Sequence, residues 1–147
     1  MIRTVFSIIA GLAAGIIIIT LVDKLGDFFY PAPSDLDYSN KETVMRLVLD
    51  APFGAVLFIA IAWALGSFSG GMVSSIISNN YKMLVAIITG LILMAAGLTT
   101  LLSFSHPVWI WIVGLSVYIP FAYLGAKLGI NLSSGKNWIN AEFPNRD

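Results

Sequence analysis

The chain has no cysteine and a single histidine in 147 residues, and only 11% of its residues are charged. Without cysteine there is no disulfide, no thiolate metal site and no cysteine nucleophile. The one histidine, His106, stands beside Pro107 in a short polar link. A solvated turn residue is the plain reading there, and a base or ligand the sharper one. Water-soluble domains carry about 25% charged residues, so this chain has too few to clothe a soluble globule. The formal net charge is zero, which leaves no bulk attraction toward nucleic acid. P-loop, nucleophile-elbow, zinc and dinucleotide motifs are all missing, as is any visible internal repeat. No cofactor, metal site or catalytic constellation is predicted.

What is present is apolar: 58% of the residues are hydrophobic, with a mean hydropathy of +0.88. Four runs reach the roughly 20 apolar residues that a helix needs to cross a bilayer. They are 5–22, 53–77, 83–102 and 108–128, and the first three contain no charged residue. Lys127 lies near the end of the fourth, within reach of the headgroups on its long stem. The first run exceeds the apolar core of a signal peptide, about 7–15 residues, and no A-x-A site follows it, so it reads as an uncleaved span.

The links "SNNYK" (78–82) and "SFSHP" (103–107) are short, with Ser105 placed as a cap and Pro107 in a first helical turn. Such links make spans two to four antiparallel neighbours. The expected fold is all-α: an integral membrane four-helix bundle, antiparallel, forming a single transmembrane domain over 1–147. A first extramembrane loop covers 23–52 and a polar C-terminal tail covers 129–147. Pro120 falls inside span four and predicts a kink near Ser116–Tyr118.

Four spans place both termini on one side. Arg3, Lys82, Lys127, Lys136 and Arg146 fall there, against Lys24, Lys41 and Arg46 in the loop. That excess predicts cytoplasmic termini. Asp23, Asp27, Asp35, Asp37, Glu42 and Asp50 all lie in the loop, giving it a net charge of −3. Carboxylates suit hard cations, but this spacing matches no EF-hand loop, and solvated surface aspartates are the plainer reading. Within the loop, Pro31–Pro33 is stiff. Ser39 and Glu42 have capping-box spacing ahead of a short amphipathic helix with Val44, Leu47, Val48 and Ala51 on one face. That helix is expected on the membrane surface or tucked over the bundle. Phe28, Phe29, Tyr30, Phe104, Trp109 and Trp111 mark one membrane interface, and Tyr81, Tyr123 and Trp138 the other. Trp63 falls mid-span, facing lipid or packed in the core.

The most informative stretch is "WALGSFSGGMVSS", Trp63–Ser75. Ala62, Gly66, Gly70 and Ser74 recur every four residues, with Ser67, Gly71 and Ser75 beside them. Residues four apart share a helix face, so this face is almost free of side chains. In lipid, where helices associate by close packing and interhelical hydrogen bonds, such a face lets backbones touch. Gly11-x-x-x-Gly15, Ala86-x-x-x-Gly90 and Gly125-x-x-x-Gly129 offer matching surfaces on the other spans. The predicted helix-packing residues are therefore Gly11, Gly15, Ala62, Gly66, Ser67, Gly70, Gly71, Ser74, Gly90, Gly125 and Gly129. They serve packing within one chain, packing against another copy or another membrane protein, or the lining of a watery path.

The segment Ala51–Ser75 also resembles a group of small four-span bacterial membrane proteins without an assigned activity. In that group the second span follows a proline and ends in W-x-x-G-x-x-x-G-G, here Trp63, Gly66, Gly70 and Gly71. The resemblance covers about a sixth of the chain. It implies a bacterial envelope protein and transfers no site residues. The functional expectation is a non-catalytic accessory or structural subunit of the bacterial cytoplasmic membrane, associating through these small-residue faces with itself or another membrane protein and partnered by the lipid bilayer. The alternative is an oligomeric channel or transporter for a small solute, with Thr20, Ser67, Ser74, Thr89, Thr99, Thr100 and Ser116 lining a neutral path.

Overall fold

A computed structural model describes residues 2–31, 40–103 and 108–142. Five helices follow in order: α1 (Ile2–Phe29), α2 (Lys41–Leu49), α3 (Phe53–Ile77), α4 (Lys82–Ser103) and α5 (Val108–Glu142). There is no β-strand among the described residues. All but α2 contain stretches long and apolar enough to cross a membrane. The protein is an all-helical, four-helix membrane bundle.

The directions of the helices follow from their contacts. Gly11 of α1 meets Gly70 of α3, Gly15 meets Gly66, and Gly26 meets Phe58. One number rises as the other falls, so α1 and α3 are antiparallel. Gly114 meets Trp63, and Gly129 meets Ser75, so α5 runs parallel to α3. Between them α4 runs the other way, with Gly97 against Tyr118 and Lys82 against Ser133. The α3 helix touches all three other spans, and its small residues allow that. Large apolar side chains such as Phe6, Ile17, Leu84 and Ile112 point outward, as a lipid-facing belt requires.

The end carrying the N-terminus of α1 is tied by its basic residues. Arg3 donates from Nε to the carbonyl of Ile77 at 3.0 Å. Lys82 donates from Nζ to Ser133 Oγ at 2.6 Å. The α3–α4 link turns on Ser78, which donates to the carbonyl of Asn80 at 2.7 Å, and on Tyr81, whose φ of 53° is left-handed.

Several boundaries differ from the hydropathy reading. α1 does not stop at Val22 but continues to Phe29, which puts Asp23 and Asp27 on the helix rather than in the loop. No breaker intervenes until Pro31, which lacks an N–H and disfavours helix in the residue before it. At the other end, α5 runs on from Leu128 to Glu142, through much of the supposed tail. Its partners outlast its apolar run: Gly129 lies against Met72 and Ser75, and Ser133 receives Lys82. The helix is unbroken through Pro120. Ser116 turns its hydroxyl back to the carbonyl of Ile112 in the turn before it. Pro52 is the N-cap of α3, one residue ahead of the expected first turn.

The cap of α2 is also displaced. Asn40, not Ser39, is its N-cap, accepting from the backbone N–H of Glu42 at 3.0 Å and of Thr43 at 3.4 Å. Glu42 thereby sits one place too early for a capping box. It pairs instead with Arg46 at 3.1 Å on the exposed side. Asn40→Ala is expected to cost this nine-residue helix about 1 kcal/mol. Hydrogen exchange should quicken roughly fivefold at the amides of α2 and stay unchanged in α3. Ser39, Asp35 and Asp37 lie outside the described residues, as do Phe104, Ser105, His106 and Pro107.

Candidate functional site

Two seams run along α3. The row Ala62, Gly66, Gly70 and Ser74 is buried and faces α1. A β-carbon built on Gly11 would lie 2.7 Å from the Gly70 carbonyl oxygen and 2.8 Å from Ser74 Cβ. One built on Gly15 would lie 3.0 Å from the Gly66 carbonyl oxygen and 2.8 Å from Leu93 Cδ1. At Gly11 these are separations that only glycine allows; at Gly15 the leucine methyl must move aside and the carbonyl lies at the limit of contact. α4 closes this seam from the side through Thr89 and Leu93.

The second row faces α5. A β-carbon on Gly71 would fall on the Ala122 carbonyl, 2.9 Å from its Cα. One on Gly125 would fall on the Phe68 carbonyl group, 2.8 Å from its carbon and 3.0 Å from the nitrogen of Met72. A β-carbon on Gly129 would lie 2.6 Å from the carbonyl oxygen of Met72, and one on Gly90 of α4 would lie 2.6 Å from Ala122 Cβ. Ser67 crosses this seam to donate to the carbonyl of Tyr118. All eleven predicted packing residues are buried, with their neighbours inside the chain itself. These faces are not free for a second copy.

The hydroxyls proposed as a neutral path divide into two sets. Ser67, Ser74 and Thr89 are fully buried, and each donates to a backbone carbonyl. Thr20, Thr99, Thr100 and Ser116 are exposed and bond back to carbonyls of their own helices. Buried hydroxyls committed to carbonyls in a glycine seam leave no row of groups turned toward water. No buried side-chain nitrogen or oxygen among the described residues lacks a partner.

Above the seams, toward the α1–α3 connection, the bundle opens. A cavity of about 780 Å³ has walls from α1, the residues around α2, the start of α3 and Thr100 of α4. Its depth is marked by Trp63, roughly 15 Å along α3 from Phe53 at 1.5 Å per residue. Trp63 is 6% exposed and packs on Tyr118, with ring centroids 5.6 Å apart; it belongs to the core and does not face lipid. Higher up, Phe58 stacks on Phe29 at 5.8 Å and meets Tyr30 edge-on at 6.1 Å. Asp23, Asp27 and Asp50 also line the cavity. Asp23 and Asp27 share a face of α1, while α2 reaches the wall through Leu47. Among the described residues α2 has no close backbone contact with another helix, and the space it leaves is this cavity.

No group of three or more metal-ligating side chains comes together among the described residues. Protein-family models, curated proteins and solved structures gave no match to the chain. The sequence weighs the loop carboxylates only as a cation site and gives no sign of the cavity. Its walls come from four separate parts of the chain, and no local spacing signals their convergence.

Proposed function

We propose that this protein is a non-catalytic accessory subunit of the bacterial cytoplasmic membrane, with both termini in the cytoplasm. The reading rests on one observation above all: the small-residue faces and buried hydroxyls are occupied within the chain, so a single copy is a closed scaffold. The cytoplasmic orientation rests on the excess of lysine and arginine on the side of the termini. The bacterial assignment rests on the resemblance of Ala51–Ser75. A partner then meets surfaces outside the seams, among them the outer face of α4 at Leu91 and α2 at Leu49.

Photo-reactive residues placed at Leu91 and Leu49 of the full chain in intact membranes test this. A saturable adduct with one membrane protein is the expected result. Lipid adducts alone, with a monomeric native mass in mild detergent, overturn it. A channel between copies is the second reading, favoured by Ala95, Ala96, Thr99 and Thr100, which are exposed together on α4. It requires a homo-oligomer and solute flux in reconstituted liposomes.

A further inference from the structure

We propose that the cavity at the α1–α3 end binds a monovalent organic cation carrying an apolar body. This goes beyond the accessory role and does not depend on it. Three features fix the chemistry of the occupant. First, among the described residues the lining contains Asp23, Asp27 and Asp50 and no lysine, arginine or histidine. Among the described residues, none of these three side chains has a hydrogen bond or ion pair within the protein. Arg46 pairs with Glu42 on the exposed side of α2, and Lys24, between Asp23 and Asp27 on α1, is exposed and is not one of the lining residues.

Second, Asp23 and Asp27 are one helical turn apart on the same face, so their charges repel. A cation between them relieves that repulsion. Third, most of the remaining wall is apolar and aromatic, with Tyr30, Phe58 and Trp63 at successive depths. Aromatic faces attract cations, and most strongly those with weakly held water. A bare divalent metal ion is the wrong guest, because it needs a shell of oxygens and this wall is largely hydrocarbon. A phospholipid is also disfavoured, because its phosphate would meet carboxylates with no basic side chain among the described lining residues to receive it. The volume of about 780 Å³ lies within the range of small-molecule sites. The half-buried Asp23 sits deeper than the exposed Asp27 and Asp50, so the charge has a carboxylate beside it as the apolar body descends toward Trp63.

The test uses the full chain in phosphatidylcholine nanodiscs and radiolabelled tetraphenylphosphonium, with empty nanodiscs subtracted. Tetraphenylborate has the same shape and the opposite charge. Saturable, protein-dependent binding of the phosphonium and none of the borate is expected. The double variant Asp23→Asn, Asp50→Asn should weaken phosphonium binding at least tenfold, and Trp63→Ala should weaken it severalfold. The proposal is overturned by absence of saturable binding, by equal binding of both ions, or by a folded double variant that binds like the parent chain. If that variant does not fold, the comparison of the two ions on the unaltered protein still decides. Nanodiscs containing phosphatidylethanolamine should bind the phosphonium equally well. A tenfold loss there would assign the cavity to a lipid amine and reject the free cation.

Discussion

Gly125→Ala is expected to lower the stability of the bundle by about 2 kcal/mol. The added methyl group would run into the carbonyl group of Phe68 and the nitrogen of Met72. Both are backbone atoms in the middle of a helix, so no rotamer change makes room and the two helices must part. Overpacking of this kind costs about 3 kcal/mol at the upper end of its usual range. Alanine is the better helix former by about 1 kcal/mol, which offsets a third of that. Gly54→Ala is the matched control. Its methyl group would meet the hydroxyl end of Tyr30, a partly exposed side chain that can swing aside. That variant should stay within about 0.5 kcal/mol of the parent, as surface changes usually do. Reversible unfolding of the two variants in mixed micelles separates them. Equal stability would show that α3 and α5 are not in backbone contact.

Tyr118→Ala is expected to cost about 2.4 kcal/mol by a different route. Tyr118 is the largest fully buried side chain described, 1% exposed, held between Trp63 and Gly97. In a soluble protein much of the loss would come from apolar transfer out of water. Here the unfolded helix already sits in lipid, so that part falls away and the vacated space remains. Removing roughly 100 Å³ at about 24 cal/mol per Å³ gives this figure. Tyr118→Phe keeps the ring and should recover most of it. The same micelle titration measures both, and the protein's tryptophan emission should shift only in the alanine variant.

The spans were legible because bilayer thickness imposes a length that hydropathy exposes directly. α3 begins and ends where its apolar run does. The ends of α1 and α5 were not legible, because a helix can outrun the hydrocarbon wherever it still has something to pack on. For α5 that something is Met72, Ser75 and Lys82, none of which lies near it in sequence. The glycine rows were legible from their period of four. Which neighbour each row meets was not, since a smooth face accepts any backbone that reaches it. The cap of α2 was missed by one residue because Ser39 and Asn40 both have a side-chain oxygen suited to the task, and geometry chooses between them. Trp63 could equally have faced lipid until Gly114 and Tyr118 were seen beneath its ring.

The order of the chain and the order of its contacts do not agree, and biogenesis must accommodate that. α1 is made before α3, but its glycines fit against Gly66 and Gly70, which are synthesised some fifty to sixty residues later. Until then that seam has no partner. A nascent chain that has reached Ser103 can close only one side of α3, because the backbone that fills the other side belongs to α5. The second seam is therefore completed only when α5 arrives, and a chain cut off before it leaves the Gly71 side of α3 as an open groove.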